Sequence, residues 1–169
     1  MTPLRLALAG AGQIGRAHAQ RIAASIECQL VALVDPAPAA QALASAWGVP
    51  LFTTLDAMAA GVPVLVEKPV ADSVHDARRL VRAQQECGVP VLVGHHRRHS
   101  AVMAAARAVI QSGRLGRLVA VNGSATFVKP ARYFTDAPWR GQIGGGPILI
   151  NGVHEVDNLR ALVGEITAV

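Results

Sequence analysis

Short apolar runs alternate with amphipathic stretches along most of the chain. Leu4 to Ala9 is such a run and predicts a buried parallel strand. Helical periodicity follows from about Gln13 to Ser25, and Leu30 to Val34 predicts a second buried strand that ends in Asp35. Pro36 and Pro38 open a helix that reaches Trp47 and stops at Gly48. Leu51-Phe52 is a stub of a strand, and Val62 to Val66 is another, ending in Glu67-Lys68-Pro69. Ser73 with Asp76 reads as a capping box. It opens a helix that turns Ala77, Leu80, Val81 and Ala83 inward and ends at Gly88. Val89 to Val93 closes the series.

Strands alternating with helices predict an α/β fold with a doubly wound parallel sheet over residues 1–99. Residues 100–169 predict an incomplete second α/β domain. It begins with a helix over Ser100 to Gln111 and a long strand over Arg117 to Val128. An irregular segment, Lys129 to Gly146, leads to a helix from about Ile150 to Leu162 and a strand start at Ile166 to Val169. Two features are unusual. Nine residues, Thr53 to Gly61, join one strand to the next, short for a parallel crossover. The second sheet also has too few strands to stand alone in water.

Composition narrows the class. With 51% hydrophobic residues the chain is not disordered, and two cysteines, Cys28 and Cys87, exclude a disulfide scaffold and suit a reducing cytoplasm. No apolar run approaches the ~18 residues of a membrane span. Leu4 to Gly12 has the length of a signal-peptide core, but no cleavage-like segment follows it. The net charge of +5 comes from 14 Arg and 2 Lys. The arginines are scattered and aromatics make up 4%, so neither a phosphate-tracking face nor base-stacking platforms are expected, and no nucleic-acid partner. In a chain with two lysines, each has a reason.

The chemistry concentrates at few places. Gly10, Gly12 and Gly15 form G-x-G-x-x-G around Gln13 and Ile14, between a strand and a helix, with Asp35 twenty residues beyond Gly15. The glycines permit the tight turn, the approach of a pyrophosphate and close helix packing, and the acid reaches the ribose hydroxyls. Asp35 would repel a 2′-phosphate, so NAD is expected over NADP. Glu67-Lys68-Pro69 ends a strand on the edge where open α/β sheets bind ligands. His95, His96 and His99 lack a nearby Cys or acid at ligand spacing, so no metal is expected. His154 and Asp157 lie one helical turn apart, so the carboxylate can orient the imidazole.

Together these pieces resemble the Gfo/Idh/MocA family, the glucose–fructose oxidoreductase and inositol dehydrogenase superfamily. The resemblance rests on the glycine motif, Val64-Leu-Val-Glu-Lys-Pro69, Val93-Gly-His-His-Arg-Arg98, Trp139-Arg140 and the run from Gly144 through His154 to Asp157. It implies a Rossmann domain followed by a substrate and oligomerisation domain, with hydride transfer at a secondary alcohol of a polyol or sugar. By motif match Lys68 and His154 fall on the family's catalytic positions, with Asp157 beside them. Glu67, Lys68 and Pro69 border the cofactor. His96, Arg98, Trp139, Arg140 and Asn151 fall at the substrate. The fold should bring Lys68 and His154 to one cleft, and the second-domain sheet should form a homo-oligomer. The chain also departs from the family. Ile150 occupies a position where many members carry Asp, and Met58-Ala59-Ala60 reads as a deletion junction. The second sheet lacks most of its strands. A non-catalytic dinucleotide-binding remnant of such an enzyme is the alternative.

Overall fold

The computed structural model describes residues 2–54, 61–126 and 128–169. It divides into two compact units, residues 1–94 and 95–169. The deletion junction expected at Met58-Ala59-Ala60 lies outside the described residues.

The first unit is a five-stranded parallel sheet in the order β3-β2-β1-β4-β5. Its strands are β1 (Leu4–Ala9), β2 (Cys28–Val34), β3 (Leu51–Phe52), β4 (Val64–Val66) and β5 (Val91–Val93). Among the described residues its helices are α1 (Gln13–Ala23), α2 (Ala40–Trp47) and α3 (Val74–Cys87). Because successive strand residues point to opposite faces, β1 serves two cores at once. Leu6 and Leu8 pack with Leu30, Leu33, Ala19, Ile22 and Ala44 under α1 and α2. Ala7 packs with Ala32, Val34, Val62, Val64 and Leu80 under α3. The strand order reverses at β1, and at such a point the loops on either side part and leave a crevice at the carboxyl ends of the strands.

Local signals set the boundaries. Gly48 and Gly88 end α2 and α3 in the left-handed conformation, φ 64° in both. The Ser73 hydroxyl accepts from the Asp76 N–H at 3.1 Å, and instead of a reciprocal backbone bond it donates to the Asp76 carboxylate at 2.7 Å. Val81, expected inward, is 54% exposed. The inner stripe of α3 runs through Ala77, Leu80 and Ala83, and Val81 is rotated off it.

The second unit holds α4 (Ala101–Gln111), the short α5 (Arg132–Thr135) and α6 (Val153–Val163), with a 3₁₀ turn at His96–His99 ahead of α4. Ser100 caps α4 by accepting from the Met103 N–H at 3.3 Å. The helix expected from Ile150 begins with a π-helical turn over Ile148–Gly152 and becomes α-helical at Val153. The strand expected over Arg117 to Val128 is not formed: its described residues are coil with a bend at Arg117, all exposed. Residues 166–169 are likewise coil. Alternating β-branched residues make a strand only when a neighbour takes up their N–H and C=O groups, and neither segment has one among the described residues. No helix among the described residues is long and apolar enough to cross a membrane.

Candidate dinucleotide site and histidine cluster

In the first unit the chain leaves β1 through Gly10, whose φ of 101° favours glycine. The Gly10 N–H donates to Val34 O at 2.8 Å, and the Ala11 N–H donates to Asp35 Oδ2 at 2.7 Å. The glycine turn is thus pinned to the end of β2 twice. Gly15 has no room for a side chain: a Cβ there would lie 1.8 Å from the Gly10 carbonyl oxygen. Gly12 is the opposite case. It is the N-cap of α1, nothing stands within 4 Å of where its Cβ would be, and no side chain caps the helix. Gln13 and Ile14 are exposed beside it, and the first turn carries no acid. An open helix N-terminus with room for close approach to its backbone fits a pyrophosphate. Asp35 Oδ1 also accepts from the Ala37 N–H at 2.8 Å, and each oxygen keeps a second lone pair for a ribose hydroxyl.

Next to this turn lies a crevice of about 380 Å³ at the carboxyl edge of the sheet. Ala9, Gly10, Val34, Asp35 and Pro36 form one part of its lining, Thr53 and Thr54 another, and Val66, Glu67, Lys68 and Pro69 the rest. Glu67 is half-buried, with Oε1 2.5 Å from His18 Nε2, and the Lys68–Pro69 peptide is cis.

In the second unit a set of polar groups is drawn inward. His154 and Asp157, one turn apart on α6, are each 5% exposed. Arg98 grips the Asp157 carboxylate with two bonds, Nε to Oδ2 at 3.0 Å and Nη2 to Oδ1 at 2.5 Å. His95 Nδ1 lies 3.9 Å from Asp157 Oδ2. Arg97 donates to Glu155 at 2.5 Å, and the Asn158 amide donates to the other oxygen of Glu155 at 3.2 Å. The His96 and His95 rings meet His154 edge-on, with centroids 5.1 and 6.1 Å away. Among the described residues no group of three His, Cys, Asp or Glu side chains is placed to hold a metal ion.

This geometry can be set beside known proteins. A sequence model of an oxidoreductase family with an NAD-binding Rossmann fold, GFO/IDH/MocA, matches residues 4–61 and 53–95. A model of the GFO/IDH/MocA C-terminal domain matches residues 103–169. The chain belongs to the GFO/IDH/MocA family. A 1,5-anhydro-D-fructose reductase from Ensifer adhaerens is 38% identical over 112 residues, covering 66% of this chain and 34% of the reductase. An inositol 2-dehydrogenase from Streptomyces avermitilis is 31% identical over 199 aligned positions, covering 98% of this chain and 55% of the dehydrogenase. Since this chain has 169 residues, that relative carries residues within the matched stretch that have no counterpart here. Among solved structures, the WlbA dehydrogenase from Bordetella pertussis, in complex with NADH and UDP-GlcNAcA, matches with a TM-score of 0.81 at 30% identity. It covers 96% of this chain and 59% of that one. The chain spans less than two thirds of each of these relatives.

For a GFO/IDH/MocA Rossmann unit, the sequence-expected cofactor residues fall in two places. Gly10, Asp35, Glu67, Lys68 and Pro69 line the crevice, and Gly12, Gln13, Ile14 and Gly15 form the helix start beside it. Thr53 and Thr54 were not anticipated. Their signal was the stub Leu51-Phe52, whose end is fixed beside Asp35 by the Asp35 N–H donating to Phe52 O at 2.9 Å. In the second unit His96 and Arg98, expected at the substrate, lie against His154 and Asp157, and Arg98 spends its fork on Asp157. Arg140 sits 4.1 Å over the Tyr133 ring and donates to the Tyr133 carbonyl at 2.8 Å, while Trp139 is 50% exposed. Asn151 lies half-buried in the π-helical turn.

Proposed function

We propose that this GFO/IDH/MocA chain is an NAD-dependent oxidoreductase that interconverts a secondary alcohol of a polyol or sugar-like molecule and its ketone, as an inositol dehydrogenase does. The crevice beside the glycine turn carries the reading, because a ribose-seeking acid and a lysine line one space next to an open helix N-terminus. Bound NAD supplies the hydride acceptor. The α1 N-terminus holds the pyrophosphate, and Asp35 accepts from the ribose hydroxyls and disfavours a 2′-phosphate, so NAD is preferred over NADP. His154 accepts the hydroxyl proton, and the Lys68 ammonium offsets negative charge developing on the oxygen. Asp157, braced by Arg98, sets the orientation of this histidine. His96, Arg98, Trp139, Arg140 and Asn151 contribute to holding the substrate.

Calorimetric titration should show NADH binding tighter than NADPH, and equal or inverted affinity removes Asp35 from its role. Polyol-dependent NADH formation should fall on the order of 100-fold in both Lys68→Ala and His154→Ala. Full activity in a folded His154→Ala variant overturns the mechanism. A second reading, a dinucleotide-binding remnant without catalysis, is favoured by the positions of the inositol 2-dehydrogenase that have no counterpart here. It prevails if NADH binds and no polyol is oxidised. We place the protein in the cytoplasm, where Cys28 and Cys87, both free thiols, stay reduced. A homo-oligomer would cover the exposed Val119 and Val121. Light scattering tests this, and a dilution-independent monomer overturns it.

A further inference from the structure

The Glu67 carboxylate is held on both oxygens within the first unit. Oε1 lies 2.5 Å from His18 Nε2, and Oε2 accepts from the Lys68 N–H at 3.2 Å. The side chains of His18 and Glu67 are 20% and 19% exposed, so water competes weakly for this contact. Gly94, just past β5, makes the space: a Cβ there would stand 2.7 Å from Oε1. His18 lies on α1, three residues beyond Gly15. One carboxylate therefore ties the pyrophosphate helix to the backbone of Lys68. The main-chain bond that anchors the same turn to β1, Glu67 N–H to Ala9 O, is long at 3.4 Å, so on the β1 side the side-chain clamp reinforces a weak main-chain anchor.

We infer that His18 is a positioning residue for the nicotinamide half of the dinucleotide, acting through Glu67 on the Lys68 wall of the crevice. The inference rests on the NAD reading above and extends it. A dinucleotide bound at the switch point lies across β1, with its adenosine half above β2, where Asp35 sits, and its nicotinamide half above β4. Loosening Glu67 thus disturbs the second half and spares the first. His18 deletes the clamp from the α1 side. A side chain at Gly94 displaces the same carboxylate from the β5 side.

The test titrates the full chain with NADH and with AMP, which reports on the adenosine half alone. His18→Ala and Gly94→Ala should each weaken NADH binding about tenfold, within the usual span of couplings between sites, and leave AMP binding unchanged. His18→Gln should restore NADH binding, because its amide N–H can reach the place of Nε2. The inference is overturned if His18→Ala binds NADH normally, if NADH and AMP affinities fall together, or if His18→Gln is as weak as His18→Ala. Should Gly94→Ala fail to fold, the two His18 variants still decide. A wild-type chain that binds neither ligand removes the NAD reading and the inference with it. A wild-type chain that binds both, beside an unaffected His18→Ala, removes the inference alone.

Discussion

In the first unit, among the described residues, the side chains taken out of water are those of alanine, valine, leucine and isoleucine, with Leu8, Leu33 and Val64 buried completely. In the second unit, among the described residues, Met103 is the buried apolar side chain, and the buried groups beside it are His154 and Asp157. Apolar burial is non-directional and is shared among many contacts, each side chain contributing about 1.5–3 kcal/mol. An ion pair depends on one geometry, and losing one partner leaves the other charge stranded. The unit that binds the nucleotide is therefore held by area. In the unit with the histidine cluster, the matched charges fix the cluster's shape more than they add stability.

The largest expected effect falls on the apolar side of this contrast. Leu8→Ala should destabilise the first unit by about 4 kcal/mol, since it empties the centre of the core under α1 and α2. Thermal or denaturant unfolding checks it, and a loss below about 1 kcal/mol would mean that the core is loosely filled. On the polar side, Asp157→Ala should cost about 3 kcal/mol, the low end for a broken buried pair because the Arg98 side chain is 35% exposed. The double variant Arg98→Met, Asp157→Leu should recover most of that loss. Recovery of stability without recovery of activity would show that the pair is kept for geometry.

A smaller effect comes from the edge of the first unit. Ser73→Ala should cost about 1 kcal/mol by uncapping α3. The Ser73 hydroxyl, and after it Arg79, hold the Asp76 carboxyl below its ordinary value. A carboxyl with a depressed folded pKa adds stability above the ordinary carboxylate range and loses it as pH falls through its own pKa. The gap between wild type and Ser73→Ala should accordingly narrow in acid, and denaturant midpoints at neutral and acid pH measure it. Glu165 in the second unit, held low by the Arg160 guanidinium, follows the same sign.

The same contrast explains what was legible in the sequence. β1 runs over the predicted residues, Leu4–Ala9, because a buried parallel strand followed at once by glycines is announced by its own composition. The caps at Ser73, Gly48 and Gly88 were legible for the same local reason. Val81 was not, because a single residue at the border of a helical stripe is decided by the neighbouring strand. The segment from Arg117 has the alternation of a strand, but pairing is a property of two segments, and no described segment pairs with it. His18 with Glu67, and Arg98 with Asp157, lie 49 and 59 residues apart along the chain, and nothing local joins them. The glycine turn could be read because a buried strand running straight into glycines dictates a backbone shape, and Asp35 because it ends the neighbouring strand. The clamp behind Lys68 could not, because its parts carry no motif.

The π-helical turn ahead of α6 sets an angular phase. The Val153 N–H reaches back five residues to the Ile148 carbonyl, so this turn holds one residue more than an α-helical turn. Each residue advances an α-helix by about 100°. Winding the same five residues, Ile148–Gly152, as regular α-helix would swing everything after them by about that angle relative to what precedes them. His154 and Asp157 now share the inward side of α6, and they would turn together toward solvent, carrying the Arg98 fork out of reach. The wide turn is thus a phase setting for the whole histidine cluster: it admits an extra residue without turning His154 and Asp157 away, and deleting that residue, which leaves a plain α-helical turn, should keep both facing inward.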